Sequence, residues 1–133
     1  MLKNLLKKLL LLPVFGLAFL AHSQVTDSLP SVRIWSEANH SAFTDLCRYK
    51  GKFYCTFREA ENHVGYDGKI RVISSNDGNK WETVDLLEKA GVDLRDPKIS
   101  VTPSGKLMLL YGGSVYKGKD LVVRNPHYSF LDS

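Results

Sequence analysis

Between Ala42 and Tyr111 the apolar residues come only in short runs rich in Val, Ile, Leu, Phe and Tyr, each cut off by Gly, Asn, Asp or Pro. No long stretch repeats at helical spacing, so the chain has no amphipathic helix around which to build a core and must pack strands instead. The pattern predicts strands over Val32 to Trp35, Phe43 to Tyr49, Lys52 to Arg58, Lys69 to Ser74, Trp81 to Leu86, Lys98 to Thr102, Lys106 to Tyr111, and Asp120 to Phe130 with a break at Pro126. Leu86 to Gly91 suits a single helical turn. Tight turns are expected at Lys50-Gly51, Asn76 to Asn79 and Pro103-Ser104-Gly105.

Ahead of this all-β region lies a segment of a different kind. Lys3, Lys7 and Lys8 precede an apolar run from Leu9 to Leu20, followed by Ala21-His22-Ser23, with small residues three and one before Gln24. This is the layout of a cleavable secretory signal peptide over residues 1–23, an uncleaved anchor being the alternative. The run is short beside the roughly 20 residues that a bilayer span needs. The expected location is therefore secreted or periplasmic, with no membrane attachment after cleavage.

Charge follows the same division. Of 18 Lys+Arg and 14 Asp+Glu, three lysines and no acids precede Gln24, leaving 15 basic against 14 acidic residues. A nearly neutral mature chain lacks the basic stripe that nucleic-acid binding requires, so no nucleic-acid partner is expected. The two cysteines, Cys47 and Cys55, flank Tyr49-Lys50-Gly51-Lys52. A three-residue loop would set them opposite one another, whereas a two-residue loop would send them to opposite faces. No Cys/His spacing suggests a metal, and no cofactor is implied.

An antiparallel meander places alternate connections at opposite ends of its sheet. With strands from Phe43 to Leu86 in such an arrangement, the two short turns share one end. The longer segments Ser36–Ala42, Glu59–Gly68 and Leu87–Pro97 share the other, bringing His40, Glu59, Glu61, His63, Asp67, Arg95 and Asp96 to one end.

One connection has a more specific signature. Ser74-Ser75-Asn76-Asp77-Gly78-Asn79-Lys80-Trp81 resembles the Asp-box of sialidases and related β-propellers. Two alignments fit, one through Ser74, Asn76, Gly78, Lys80 and Trp81 with Asn in the Asp place, the other, one residue shorter, through Ser75, Asp77, Gly78 and Trp81. In either, a short polar side chain caps backbone N–H groups while the indole packs under the hairpin, a structural role. Asp45 to Glu59, Asp67 to Val72 and the Trp81 turn resemble the first blade of bacterial sialidase-like propellers. Arg95-Asp96-Pro97-Lys98 and Gly105 to Leu109 are similar to the opening of their second.

The resemblance implies an incomplete six-bladed β-propeller over 24–133, with a first blade at about 36–90 and a second at about 95–133. Propellers have 4 to 8 blades of roughly 40–50 residues each. About two are expected here, the remaining blades lying outside this chain, which by itself would then be inactive. The function implied is that of an N-terminal portion of a secreted glycoside hydrolase releasing terminal sialic acid or a related sugar. Its partner would be a glycan. The resemblance places the acid/base carboxyl near Glu59, with Asp67 the second candidate. It leaves no arginine at the Ser41–Asp45 position where the family carries its first carboxylate-binding one, so that role passes to Arg58 or Arg95, whose guanidinium forks match a carboxylate. Asp96, His40 and His63 complete the candidate substrate-binding set. Arg58 and Glu59 equally suit a surface ion pair, and Arg95-Asp96-Pro97 a simple turn. Two other functions fit the same residues: a non-catalytic propeller segment binding glycans or protein, and a five-bladed propeller glycosidase.

Overall fold

The computed structural model describes residues 29–65 and 67–131, so the signal-peptide segment lies outside the described residues. The chain divides into two units, 1–32 and 33–133. In the first, residues 29–32 carry no regular structure. The second unit holds seven strands: β1 (His40–Tyr49), β2 (Lys52–Ala60), β3 (Lys69–Ser75), β4 (Glu82–Leu87), β5 (Asp93–Val101), β6 (Leu107–Lys117) and β7 (Asp120–Phe130). They form two antiparallel sheets, of order β1-β2-β3-β4 and β5-β6-β7. No helix occurs among the described residues.

The β1–β2 hairpin is closed by two residues, since Tyr49 pairs with Lys52. Lys50 and Gly51 both have positive φ, 47° and 83°, the backbone of a type I′ turn whose twist suits a hairpin. That length decides the cysteine question. Cys47 pairs with Tyr54 while Cys55 pairs with Leu46, so the two thiols point to opposite faces and both are free.

Side-chain alternation along β2 and β3 builds two cores. Tyr54, Ile70 and Val72 pack with Leu94, Ile99, Leu107, Leu109 and Leu131, filling the space between the sheets. On the opposite face of the first sheet, Cys55, Phe57 and Ile73 are covered by Ile34, Trp35 and Trp81. A strand covered on both sides reads as a continuous buried run, and every residue from Tyr54 to Ala60 is buried.

Four expectations need correction. Ile34 and Trp35 cover the sheet without being part of a strand: their apolar side chains are half-buried against Cys55, Phe57 and Ile73, which packing achieves without a ladder. No helical turn forms over Leu86–Gly91: β4 runs to Leu87, and a turn closed by Val92 N–H donating to Lys89 O follows, with Gly91 at φ 71°. β5 begins at Asp93 rather than Lys98, because Arg95-Asp96-Pro97 is absorbed as a β-bulge between Arg95 and Lys98 instead of breaking the strand. Finally, β7 runs unbroken through Pro126. It is the edge strand of its sheet, where a missing N–H is tolerated.

Candidate functional site

The register places His40 opposite Ala60, Glu59 opposite Lys69, and Ile70 opposite Leu87. The entry to β1, the β2–β3 connection and the exit from β4 therefore share one end of the first sheet, and both hairpin turns lie at the other. At the shared end the last residues of β2 diverge, because neighbours on a strand face opposite ways. Arg58 points between the sheets and Glu59 points out through the first sheet, so they are not each other's ion pair.

Arg58 is fully buried. Its Nε donates to Asp93 Oδ1 at 2.8 Å, its Nη2 lies 2.7 Å from the same oxygen, and its Nη1 donates to Asn62 O at 2.8 Å. Asp93, equally buried, also faces Arg95, with Nη1 3.5 Å from Oδ2. Arg95 Nη1 donates to Tyr116 Oη at 3.1 Å, and its guanidinium lies 5.2 Å from the Phe43 ring centre. Asp96 is exposed, with Oδ2 3.5 Å from Arg95 Nε. Phe43 and Asp96 have φ of 61° and 53°, each at the bulge of its own strand. Bulges re-aim side chains, and here they turn Phe43 and Arg95 onto one another. The His40 and His63 rings meet edge to face at 5.3 Å, and His63 lies 5.4 Å from Phe43.

Glycine is required where this cluster meets the β2–β3 connection. A side chain on Gly68 would place its first carbon 1.8 Å from Asp93 Oδ1 and 2.7 Å from Leu94 O. Backbone and charge pair occupy that space, and Leu94 N–H donates to Gly68 O at 2.9 Å.

On the outward face, Glu59 is held by three donors. Trp35 Nε1 and Arg71 Nε, the latter at 3.2 Å, reach Oε1, while Arg71 Nη2 reaches Oε2 at 3.0 Å. The Arg71 guanidinium in turn lies 5.0 Å from the Trp35 ring centre. Arg71, which alternates with Ile70 and Val72 along β3, is half-buried in this triad. Beside it opens a groove of about 490 Å³ whose lining includes Glu59, Asp67, Glu61 and Asn39. Asp67 Oδ2 accepts the Glu61 N–H at 2.8 Å, and Asn39 Nδ2 donates to Glu61 Oε2 at 2.6 Å. The groove thus contains both carboxyls that the sequence singled out for chemistry. Arg58, Arg95, Asp96, His40 and His63 do not line it. At its rim Lys69 Nζ meets Glu88 Oε2 at 2.6 Å, which raises the ammonium's pKa and lowers the carboxyl's.

The Ser74–Trp81 turn sits at the far end. Its working residues follow the second alignment: Ser75 Oγ accepts the Gly78 N–H at 2.8 Å, and Asp77 Oδ1 accepts those of Asn79 and Lys80 at 2.8 and 3.0 Å. Trp81 Nε1 donates to Gly78 O at 2.9 Å. Ser74 instead pairs with Glu82 in the β3–β4 ladder, and Asn76 is exposed at the tip. The backbone donors hold the Asp77 carboxyl below its ordinary pKa of 3.8, the Lys80 N–H contributing most.

Three residues that sequence reasoning missed organise these clusters: Asp93, Trp35 and Arg71. Their partners stand 35, 24 and 12 residues away along the chain. No local pattern announces such pairings.

No protein-family model matches the chain, and no curated protein matches it. Among solved structures, it is similar to a protein of unknown function from Dyadobacter fermentans DSM 18053, at 22% identity over 59% of this chain, with a TM-score of 0.48. The match spans 25% of that protein's length.

Proposed function

We propose that the two sheets are consecutive blades of a sialidase-like β-propeller, and that this chain is the N-terminal portion of an exported glycoside hydrolase that releases a terminal sialic acid or a related sugar. The observation that carries the proposal is the groove: Glu59 and Asp67, the carboxyls that the family resemblance selects, line one cleft at the sheet end where the long connections meet. Most glycoside hydrolases flank the scissile bond with two carboxyl groups, whereas sialidases set a tyrosine nucleophile against one acid/base carboxyl, the role for which Glu59 is the first candidate and Asp67 the second. The Asp77 turn at the opposite end, with its capped amides and packed indole, adds the structural mark of the same family.

The test is release of a fluorogenic aglycone by the native protein as its host exports it, offered a sialoside and a set of uncharged glycosides. Turnover of any of them supports a hydrolase. Binding without turnover supports a glycan-binding propeller instead, a second reading favoured by one observation: the Glu59 oxygens are already held by Trp35 and Arg71.

A further inference from the structure

We propose that the Nε edge of the Arg95 guanidinium is a binding site for a small carboxylate ligand, and that the Asp96 side chain stands in for that ligand at rest. Arg58 and Arg95 are both buried, yet they share one buried carboxylate, Asp93. That carboxylate is spent on Arg58, whose Nε donates to Oδ1 at 2.8 Å while Nη2 lies 2.7 Å from the same atom. Arg95 is left with long contacts, 3.5 Å to Asp93 Oδ2 and 3.5 Å to Asp96 Oδ2. A hydrogen bond from a guanidinium to a carboxylate normally closes to about 2.7–2.9 Å. The Arg95 side chain is 8% exposed and its Nη1 donates to Tyr116 Oη, but its buried Nε makes no hydrogen bond. A buried donor left unmade is costly, so an acceptor that reaches it is held.

The ligand class follows from the shape of this donor. Nε and the amino group beside it form the edge that grips a carboxylate by two parallel bonds, the same edge that Arg58 turns to Asp93. One flat face of the Arg95 guanidinium is taken by the Phe43 ring, 5.2 Å away. Asp96 has the marks of a displaceable occupant, being 46% exposed on a non-glycine backbone at φ 53°. Strain of that kind gathers at ligand sites. Asp96 also lines a groove of about 350 Å³ together with Gly112 and Arg124. Gly112 brings the groove against Arg95, since a first side-chain carbon there would lie 3.8 Å from Arg95 Cγ. Arg124 donates to Ser114 Oγ at 3.3 Å and has no carboxylate partner among the described residues, so it adds a second cation to the approach. Arg95 does not line the groove beside Glu59, and the inference does not rest on the hydrolase reading.

The experiment is an NMR chemical-shift titration of the full chain with acetate, with free N-acetylneuraminic acid and with the methyl ester of that sugar, repeated on Asp96→Asn and Arg95→Lys. Asparagine tolerates positive φ, so the first variant keeps the turn and removes the internal competitor's charge. The two acids should bind and the ester should not. Asp96→Asn should tighten the acids about tenfold, as for a wild-type site that stands open about one-tenth of the time. Arg95→Lys keeps the charge and loses the fork, and should abolish binding. Tighter binding of the sugar acid than of acetate would assign the site to a sugar acid, and equal binding to the carboxylate alone. The inference is overturned by an ester that binds as tightly as its acid, by acids that Asp96→Asn does not tighten, by unchanged binding to folded Arg95→Lys, or by no binding of either acid. Where Arg95→Lys fails to fold, the comparison of Asp96→Asn with the wild type decides alone.

Discussion

Arg58 and Asp93 meet at 2.7 Å with neither side chain exposed to solvent. The contact ties Arg58, near the end of β2 in one sheet, to Asp93, the first residue of β5 in the other. Because the same guanidinium also holds Asn62 O, it fixes the β2–β3 connection that carries Asp67 to the groove. A pair this dry is costly to make and more costly to break, since either charge left alone is stranded in a low-dielectric interior.

Arg58→Ala should therefore destabilise the fold by about 3–5 kcal/mol, the usual penalty for orphaning one partner of a buried pair. Arg58→Met combined with Asp93→Leu should cost less than Arg58→Ala alone, because the carboxylate leaves with its nearest partner and Arg95, which loses a 3.5 Å contact, keeps Asp96 and Tyr116. Urea denaturation midpoints of the two variants, measured beside the wild type, check the order.

Gly68→Ala should lose about 1–3 kcal/mol, the cost of forcing atoms into packed space, since its methyl group would sit 1.8 Å from Asp93 Oδ1. Gly78 makes a useful contrast, having φ of 78° and nothing within 4 Å of an added carbon. There Ala meets only the backbone penalty of about 1–2 kcal/mol. Melting temperatures should fall further for Gly68→Ala.

The Asp77 turn should report on acid. Its carboxyl is held below 3.8 mainly by the Lys80 and Asn79 N–H groups, so the folded state favours the ionised form. A folded pKa below the unfolded one gives stability that is present above the unfolded pKa and is lost as pH falls from about 3.8 through the lower folded value. Asp77→Ala should flatten the stability–pH curve in that acid window. Denaturation midpoints between pH 5 and pH 2, about the span over which carboxylates titrate, measure the slope.

Burial, with the Asp45 charge adding to it, pushes the Cys55 thiol up to about 11, whereas Cys47 is half-exposed and raised by the same two causes. The thiolate is the reactive form. Iodoacetamide near neutral pH should label Cys47 first and reach Cys55 only on unfolding, and mass spectrometry of the denatured protein should count two free thiols. A mass two hydrogens lower would contradict the two-residue turn.

Much of the sheet pattern was legible because each strand is a short apolar run and each turn has its own chemistry. Lys50-Gly51 and Asp77-Gly78 are local signals, readable from a handful of residues. Pro97 and Pro126 misled for one shared reason: proline removes a ladder donor, yet a bulge and an edge strand each spare that donor. The end of the sheet that gathers Glu59 and Asp67 also followed from meander geometry. What could not be read was partnership. Arg58 and Glu59 are adjacent and of opposite charge, which suggests a pair, but strand alternation sends them to opposite faces, and each finds its partner far along the chain in Asp93 or in Trp35 and Arg71. Whether those oxygens and guanidiniums are free for a ligand depends wholly on these distant residues.

The most direct test of the proposed hydrolase is the glycosidase rate of the native protein beside its Asp67→Asn and Glu59→Gln variants, each checked for an unchanged melting curve. Positioned acid–base groups contribute about 10²–10⁴-fold, so kcat should fall by that order for either substitution while the fold persists. Wild-type turnover that survives both substitutions in folded protein would contradict the assignment of chemistry to the groove beside Glu59.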